Sequence, residues 1–229
     1  MIARLLLAAL VMAAATPAHA ASPEISQSET RDIDFVPAGW KLYDKAEGDL
    51  NGDGVSDSVL VIQATDPERI IDNPDGFGVP RYDSNQRILL FVLSSPEGHL
   101  RLAGRDGAVI PDRDSPTIDD PYSDIEIKDG KATLYLNFWA SMGSYMTSWH
   151  QFHFRWDGAQ MAVIGYDGGT VHRASGETRS ASLNYLTNRR KDTTGMIDRD
   201  KTEDRWSSIP PGSAPRLGAI GNGFEFLPL

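Results

Sequence analysis

Residues 124–139, DIEIKDGKATLYLNFW, decide the fold. Asp129-Gly130 divides the stretch into two runs of alternating character. Asp-Gly is the preferred pair for a two-residue type I′ hairpin turn, because both central residues need positive φ. Folded about that turn, Ile125 and Ile127 share a face with Ala132, Leu134, Leu136 and Phe138. Glu126, Lys128, Lys131, Thr133, Tyr135 and Asn137 take the other face. One apolar and one polar face is the pattern of an antiparallel sheet packed on a core from one side.

The same device recurs downstream. Tyr145–Trp156, Asp157-Gly158 and Ala159–Gly165 read as a second hairpin, with Phe152, Phe154, Met161 and Val163 on one face. Upstream, Ser58–Gln63 (SVLVIQ) and Arg87–Leu93 (RILLFVL) are continuous apolar runs of strand length, which predict buried strands. His99–Leu102 alternates weakly, and Gly169–His172, Ala181–Thr187 and Gly223–Leu227 are further strand candidates. Residues 64–86 read as a long Gly/Pro/Asp-rich loop, and residues 188–217 as polar sequence with few apolar anchors. No helical period persists for three turns, although Trp40–Glu47 is compatible with one or two turns of helix. The expected fold is mainly β: an antiparallel meander of about 7–9 strands in a sandwich, a twisted sheet or an incomplete barrel, with one calcium-binding loop.

The N-terminus reads as a secretory signal peptide over residues 1–20. Arg4 precedes an apolar run, Leu5–Ala15, then Pro17 and Ala18-His19-Ala20. That run is shorter than the roughly 20 residues a bilayer span needs. Residues 21–35 read as a flexible leader and 36–229 as one β-rich domain, exported to the periplasm or secreted. The sequence contains no cysteine, so stability has to come from the core, with a bound metal as an optional addition, rather than from disulfides. A net charge of −10 disfavours nucleic acid and anionic membranes as partners and suits divalent cations. The partner is otherwise an unidentified ligand or protein.

Asp49–Asp57, DLNGDGVSD, carries the clearest chemical signal. Asp49, Asn51 and Asp53 stand at alternate positions, Gly54 permits a sharp turn, and the Val55 carbonyl and Asp57 follow. Oxygen donors at this spacing converge when a tight loop wraps a hard cation. The EF-hand's bidentate Glu is absent, since Leu60 stands at that position. The loop resembles those of integrin-type FG-GAP repeats and related extracellular DxNxDGxxD calcium modules, which lead into a strand as SVLVIQ does here. The resemblance implies that Asp49, Asn51, Asp53 and Asp57 are side-chain ligands of Ca2+ and Val55 a carbonyl ligand. It occurs once, so neither a propeller nor adhesion is implied. The wider segment GWKLYDKAEGDLNGDGVSDSVLVIQ is similar to a group of uncharacterised exported bacterial proteins, a likeness that implies no activity. Four side-chain donors and a carbonyl nearly fill a calcium shell, so the ion is expected to be structural.

No nucleophile elbow, zinc motif, phosphate loop or dinucleotide fingerprint is present. His150 and His153 are three apart on a strand and point to opposite faces. A second candidate site is the aromatic and polar face of the second hairpin, with Tyr145, Trp149, His153 and Arg155 as possible ligand contacts for a sugar, peptide or cation. The expected function is therefore a calcium-stabilised binding or accessory module. The alternatives are a hydrolase acting on an envelope polysaccharide or peptide, with His153 or carboxylates near that face, and a protein inhibitor presenting residues 64–86.

Overall fold

The computed structural model describes residues 23–226. The signal-peptide assignment and its cleavage point lie outside the described residues. The first half of the chain supplies β1 (Ser28–Glu29), β2 (Trp40–Gly48), β3 (Asp57–Ala64), β4 (Ile70–Asp72), β5 (Arg81–Asp83), β6 (Arg87–Ser94) and β7 (Leu100–Asp106). The second half supplies β8 (Tyr122–Lys128), β9 (Lys131–Phe138), β10 (Met146–Trp156), β11 (Met161–His172), β12 (Glu177–Asn184), β13 (Arg189–Met196) and β14 (Glu203–Ser208). A five-stranded sheet runs β1-β7-β6-β3-β2, a seven-stranded sheet is a meander from β14 to β8, and β4 and β5 form a small ribbon. All the strand pairs are antiparallel, and no barrel closes. The mainly β, antiparallel architecture matches the expectation. The described strands outnumber the expected 7–9 because short and polar strands have no hydrophobic period.

The 124–139 hairpin folds about its turn as read: Asp129 and Gly130 have φ of 53° and 69°, and Lys128 pairs with Lys131. Ile125 faces Leu134 and Ile127 faces Ala132. A one-residue register shift between Tyr122 and Asp124 turns Tyr122 to the core as well. The second hairpin departs from the expected two-residue turn. Pairing begins at Trp156 and Met161, which leaves a loop of residues 157–160. There the Asp157 carboxylate accepts the N–H groups of Ala159 and Gln160, each at 2.8 Å, and this local capping replaces the tight turn.

The inner faces of the two sheets share one core. Val59, Val61, Leu89 and Phe91 meet Leu134, Leu136, Phe152, Phe154, Val163 and Tyr166. The opposite face of β3 and β6 presents Leu60, Ile62, Ile88, Leu90 and Val92, and Ile25 and Phe35 cover it. From Pro23 onward, the expected leader is thus a docked third layer rather than a loose segment. Its polarity hid two anchors in a stretch that otherwise faces water.

Four other regions differ from expectation. Trp40–Glu47 is strand, because pairing with β3 through a bulge between Leu42 and Asp44 overrides its weak helical pattern. Residues 64–86 contain β4, β5 and a 3-10 turn over Pro67–Arg69. Residues 188–217 contain β13 and β14, which lack apolar alternation because no sheet opposes them. The described part of Gly223–Leu227 is a turn, with Phe224 and Phe226 packed against the core.

A polar corner joins the sheets where β2 meets β8. Arg87 is buried and grips Asp120 through both guanidinium nitrogens, at 2.5 and 2.7 Å. The Tyr43 hydroxyl also donates to Asp120, and Arg87 stacks 4.3 Å from the Tyr43 ring centre. Tyr122 donates to Asp44 at 2.8 Å, and its ring meets Tyr43 edge to face. Burial works against the Arg87 charge, but Asp120 more than offsets it and keeps the guanidinium firmly protonated. Replacing Arg87 with Ala strands Asp120 and opens the corner. We expect a loss of about 3 kcal/mol, at the low end for a buried ion pair because Asp120 is partly hydrated, read from urea unfolding.

Candidate functional site

The acidic loop connects β2 to β3. Gly52 and Gly54 adopt φ of 80° and 83°, the left-handed turns that curl the chain back on itself. Asp49 accepts the N–H groups of Gly52 and Gly54 at 2.6 and 2.9 Å, which hold its carboxyl below the usual range, the Gly54 bond contributing most. Asn51 accepts from the Asp53 N–H and donates to the Asp53 carboxylate, whose other oxygen accepts the Val55 N–H. Asp57 behaves differently. It is fully buried and accepts the N–H groups of Leu50 and Ser94, both at 2.8 Å. That carboxylate ties the loop to the end of β6, and burial pushes its pKa up against the pull of those two donors. Among the described residues, no three Asp, Glu, His or Cys side chains gather as a metal-holding group. Asp49, Asn51 and Asp53 lie in one exposed turn, whereas Asp57 lies beneath it as an anchor.

The second candidate is the outer face of the seven-stranded sheet. Trp149, His153 and Arg155 all occupy it, as the alternation predicts. Tyr145 lies just before β10, two-thirds exposed, with its ring 6.0 Å from that of His172. Trp149 is 39% exposed and lies over Gly169: a Cβ at that glycine would come within 2.6 Å of its indole nitrogen. The absent side chain on β11 leaves the space that the indole occupies. The strand registers put Ser180 and Thr193 in the same row as Trp149, beyond Gly169, and Gln151, Asp167 and Ser182 in the row beside it. Beyond the end of β10, Ser141–Tyr145, Arg173 and Ala174 line an open depression of about 640 Å³. Arg173 is held there by the carbonyls of Ala140 and Ser144 and stacks 5.2 Å from the Trp139 ring centre.

His153 is not free on this face. Its Nδ1 is 3.2 Å from the Thr133 hydroxyl and its Nε2 is 2.7 Å from Asp167. Burial tends to raise the Asp167 carboxyl, but bonds from His153 and Ser182 hold it below the usual range. Hydroxyl, imidazole and carboxylate in this order are the parts of a nucleophile–base–acid relay. Thr133, however, is only 1% exposed, so a substrate carbonyl has no approach to its oxygen. Sequence reading put Thr133 on the polar face but missed the relay. Its members come from three strands, and only the register between the two hairpins brings them together. Other acids have structural partners: Asp120 holds Arg87, Glu126 accepts from Tyr135, and the buried Asp106 accepts the N–H groups of Ala108, Val109 and Gly218.

His150 points the opposite way from His153, as expected, into the core beside Phe152 and Phe154. It is bracketed by the Tyr166 hydroxyl at 2.7 Å and Ser148 at 2.9 Å, 5.3 Å from the Phe224 ring. Burial lowers its pKa to about 4, so the folded protein keeps it neutral. No helix among the described residues is long and apolar enough to cross a membrane. No protein-family model, curated protein or solved structure matches the chain.

Two measurements follow from these carboxylate and imidazole environments. Asp57→Ala is expected to lower the melting temperature equally with calcium and with chelator, since the Leu50 and Ser94 N–H groups lose their acceptor in both cases. His150 contributes stability that is fully present above its unfolded pKa, near 6.5, and is lost as pH falls through the folded value near 4. Urea unfolding from pH 7 to pH 4 should therefore show an acid limb that is visibly shallower in His150→Gln.

Proposed function

We propose that the protein is a non-enzymatic binding module that lays an extended polysaccharide across the outer face of its seven-stranded sheet. The observation that carries this reading is the part-exposed Trp149 indole packed on Gly169 beside rows of hydroxyl, amide and carboxylate groups. An exposed indole face suits the apolar side of a sugar ring, and the surrounding polar tips suit its hydroxyls. A broad, shallow surface accepts a chain rather than a small molecule, which would need an enclosed, mostly apolar pocket. The depression at Tyr145 and Arg173 extends the same face beyond the strand ends. The hydrolase reading has less support, because the relay's hydroxyl is buried.

The second part of the proposal is the ion. The loop's resemblance to extracellular calcium modules and its oxygen spacing support a structural Ca2+ held by Asp49, Asn51, Asp53 and the Val55 carbonyl, with Asp57 anchoring the loop from below. This matches an exported protein that has no disulfides. Modules of this kind bind in the range of roughly 10⁻⁴–10⁻³ M.

Sedimentation with insoluble cellulose, chitin or peptidoglycan should retain the wild type, while Trp149→Ala loses at least tenfold in affinity with an unchanged melting temperature. Failure of all three polymers to retain the wild type would remove the polysaccharide. For the ion, millimolar calcium should raise the melting temperature and Asp53→Ala should abolish the rise. A melting curve indifferent to calcium and chelator would refute the clamp.

A further inference from the structure

The seven-stranded sheet ends in an open edge. Every residue of β14 is exposed, so neither face of the strand is covered. The other end of the sheet, β8, is tied to β2 by the Tyr122–Asp44 bond, and the β1 edge of the five-stranded sheet is only two residues long. The Ile209 N–H donates to the Asn188 carbonyl at 2.9 Å, which continues the Arg189–Ser208 register. Backbone groups alternate between the two sides of an antiparallel strand. Glu203, Arg205 and Ser207 therefore direct theirs to β13, and Asp204, Trp206 and Ser208 direct theirs outward.

We propose that β14 pairs antiparallel with β14 of a second copy of this chain, about a two-fold axis passing through Trp206. Charge selects this register. An axis through Asp204 would oppose two carboxylates, and one through Arg205 two guanidinium groups, both destabilising in a cross-strand pair. An axis beyond Trp206 forfeits pairs, because Ile209 turns into the core. With Trp206 on the axis, Asp204 faces the second copy's Ser208 and Arg205 faces its Ser207. All the outward N–H and carbonyl groups of Asp204, Trp206 and Ser208 then find partners. The two indoles meet on the outer face, each backed by its own Arg189 at 4.4 Å. The pairing uses the same patch on both copies, so it closes as a dimer and does not propagate into a fibre.

Sedimentation velocity and a cysteine pair test the proposal. The wild type is expected to sediment as a dimer at millimolar protein. Trp206→Pro removes an outward N–H that β13 does not use, so it should sediment as a monomer and keep its melting temperature. The chain has no native cysteine, so any disulfide reports an introduced thiol. In an oxidising buffer, Trp206→Cys should become a covalent dimer, since directly opposed Cα atoms about 5.5 Å apart suit a disulfide. Ser207→Cys, which faces the second copy's Arg205, should not. A monomeric wild type, a dimeric Trp206→Pro, or equal cross-linking of the two cysteine variants would overturn the proposal.

Discussion

The structure turns on the two strands that have no polar side. β3 and β6 are continuously apolar between their polar ends and are buried at every position but the last. A pair of this kind must be covered above and below, and two unrelated parts of the chain do so. Strands β8–β12 of the meander cover one face and the N-terminal segment covers the other. The polar groups that the pair does bury sit at its ends, and most of them are hydrogen-bonded. Asp57 caps the start of β3, and Arg87 at the start of β6 anchors the corner. The two sheets therefore meet along a core edged by hydrogen bonds.

What was readable beforehand followed burial. The first hairpin could be placed residue by residue, because one of its faces lies on the core and its turn demands Asp-Gly. The continuous runs of β3 and β6 announced two-sided burial. β13 and β14 could not be seen, since strands without an opposing layer need no apolar face and show no period. Ile25 and Phe35 were missed for the converse reason: two anchors in a polar stretch make no pattern. At the candidate sites, the alternation placed Trp149, His153 and Arg155 on one face. It could not show that Gly169 makes room for the indole or that His153 is held between Thr133 and Asp167. Those depend on register between strands that are distant in sequence. In the acidic loop, spacing marked five donors alike, and only the fold separates the exposed turn from the buried Asp57.

Two histidines three residues apart show how strongly the sheet's two faces differ. His150 lies among aromatic rings, where a proton is unwelcome. His153 lies among hydroxyls and a carboxylate on the wet side. The same alternation sets aside a broad surface whose side chains are not needed for packing. On an acidic protein this surface still carries Arg155, Arg189 and Lys191 among Asp167 and Asp204.

The seven strands of the larger sheet lie side by side in chain order. Each can therefore zip onto its predecessor by closing a short loop, which keeps the entropic barrier to assembly low. The β3–β6 pair has to close the 64–86 excursion first and buries its second face only when the N-terminal segment docks. Assembly should therefore run against the direction of the chain, with the C-terminal half forming the template on which the earlier residues settle. A nascent chain that emerges N-terminus first would hold one face of its most apolar strands uncovered until β8–β12 had appeared, and that interval is its period of greatest exposure to aggregation.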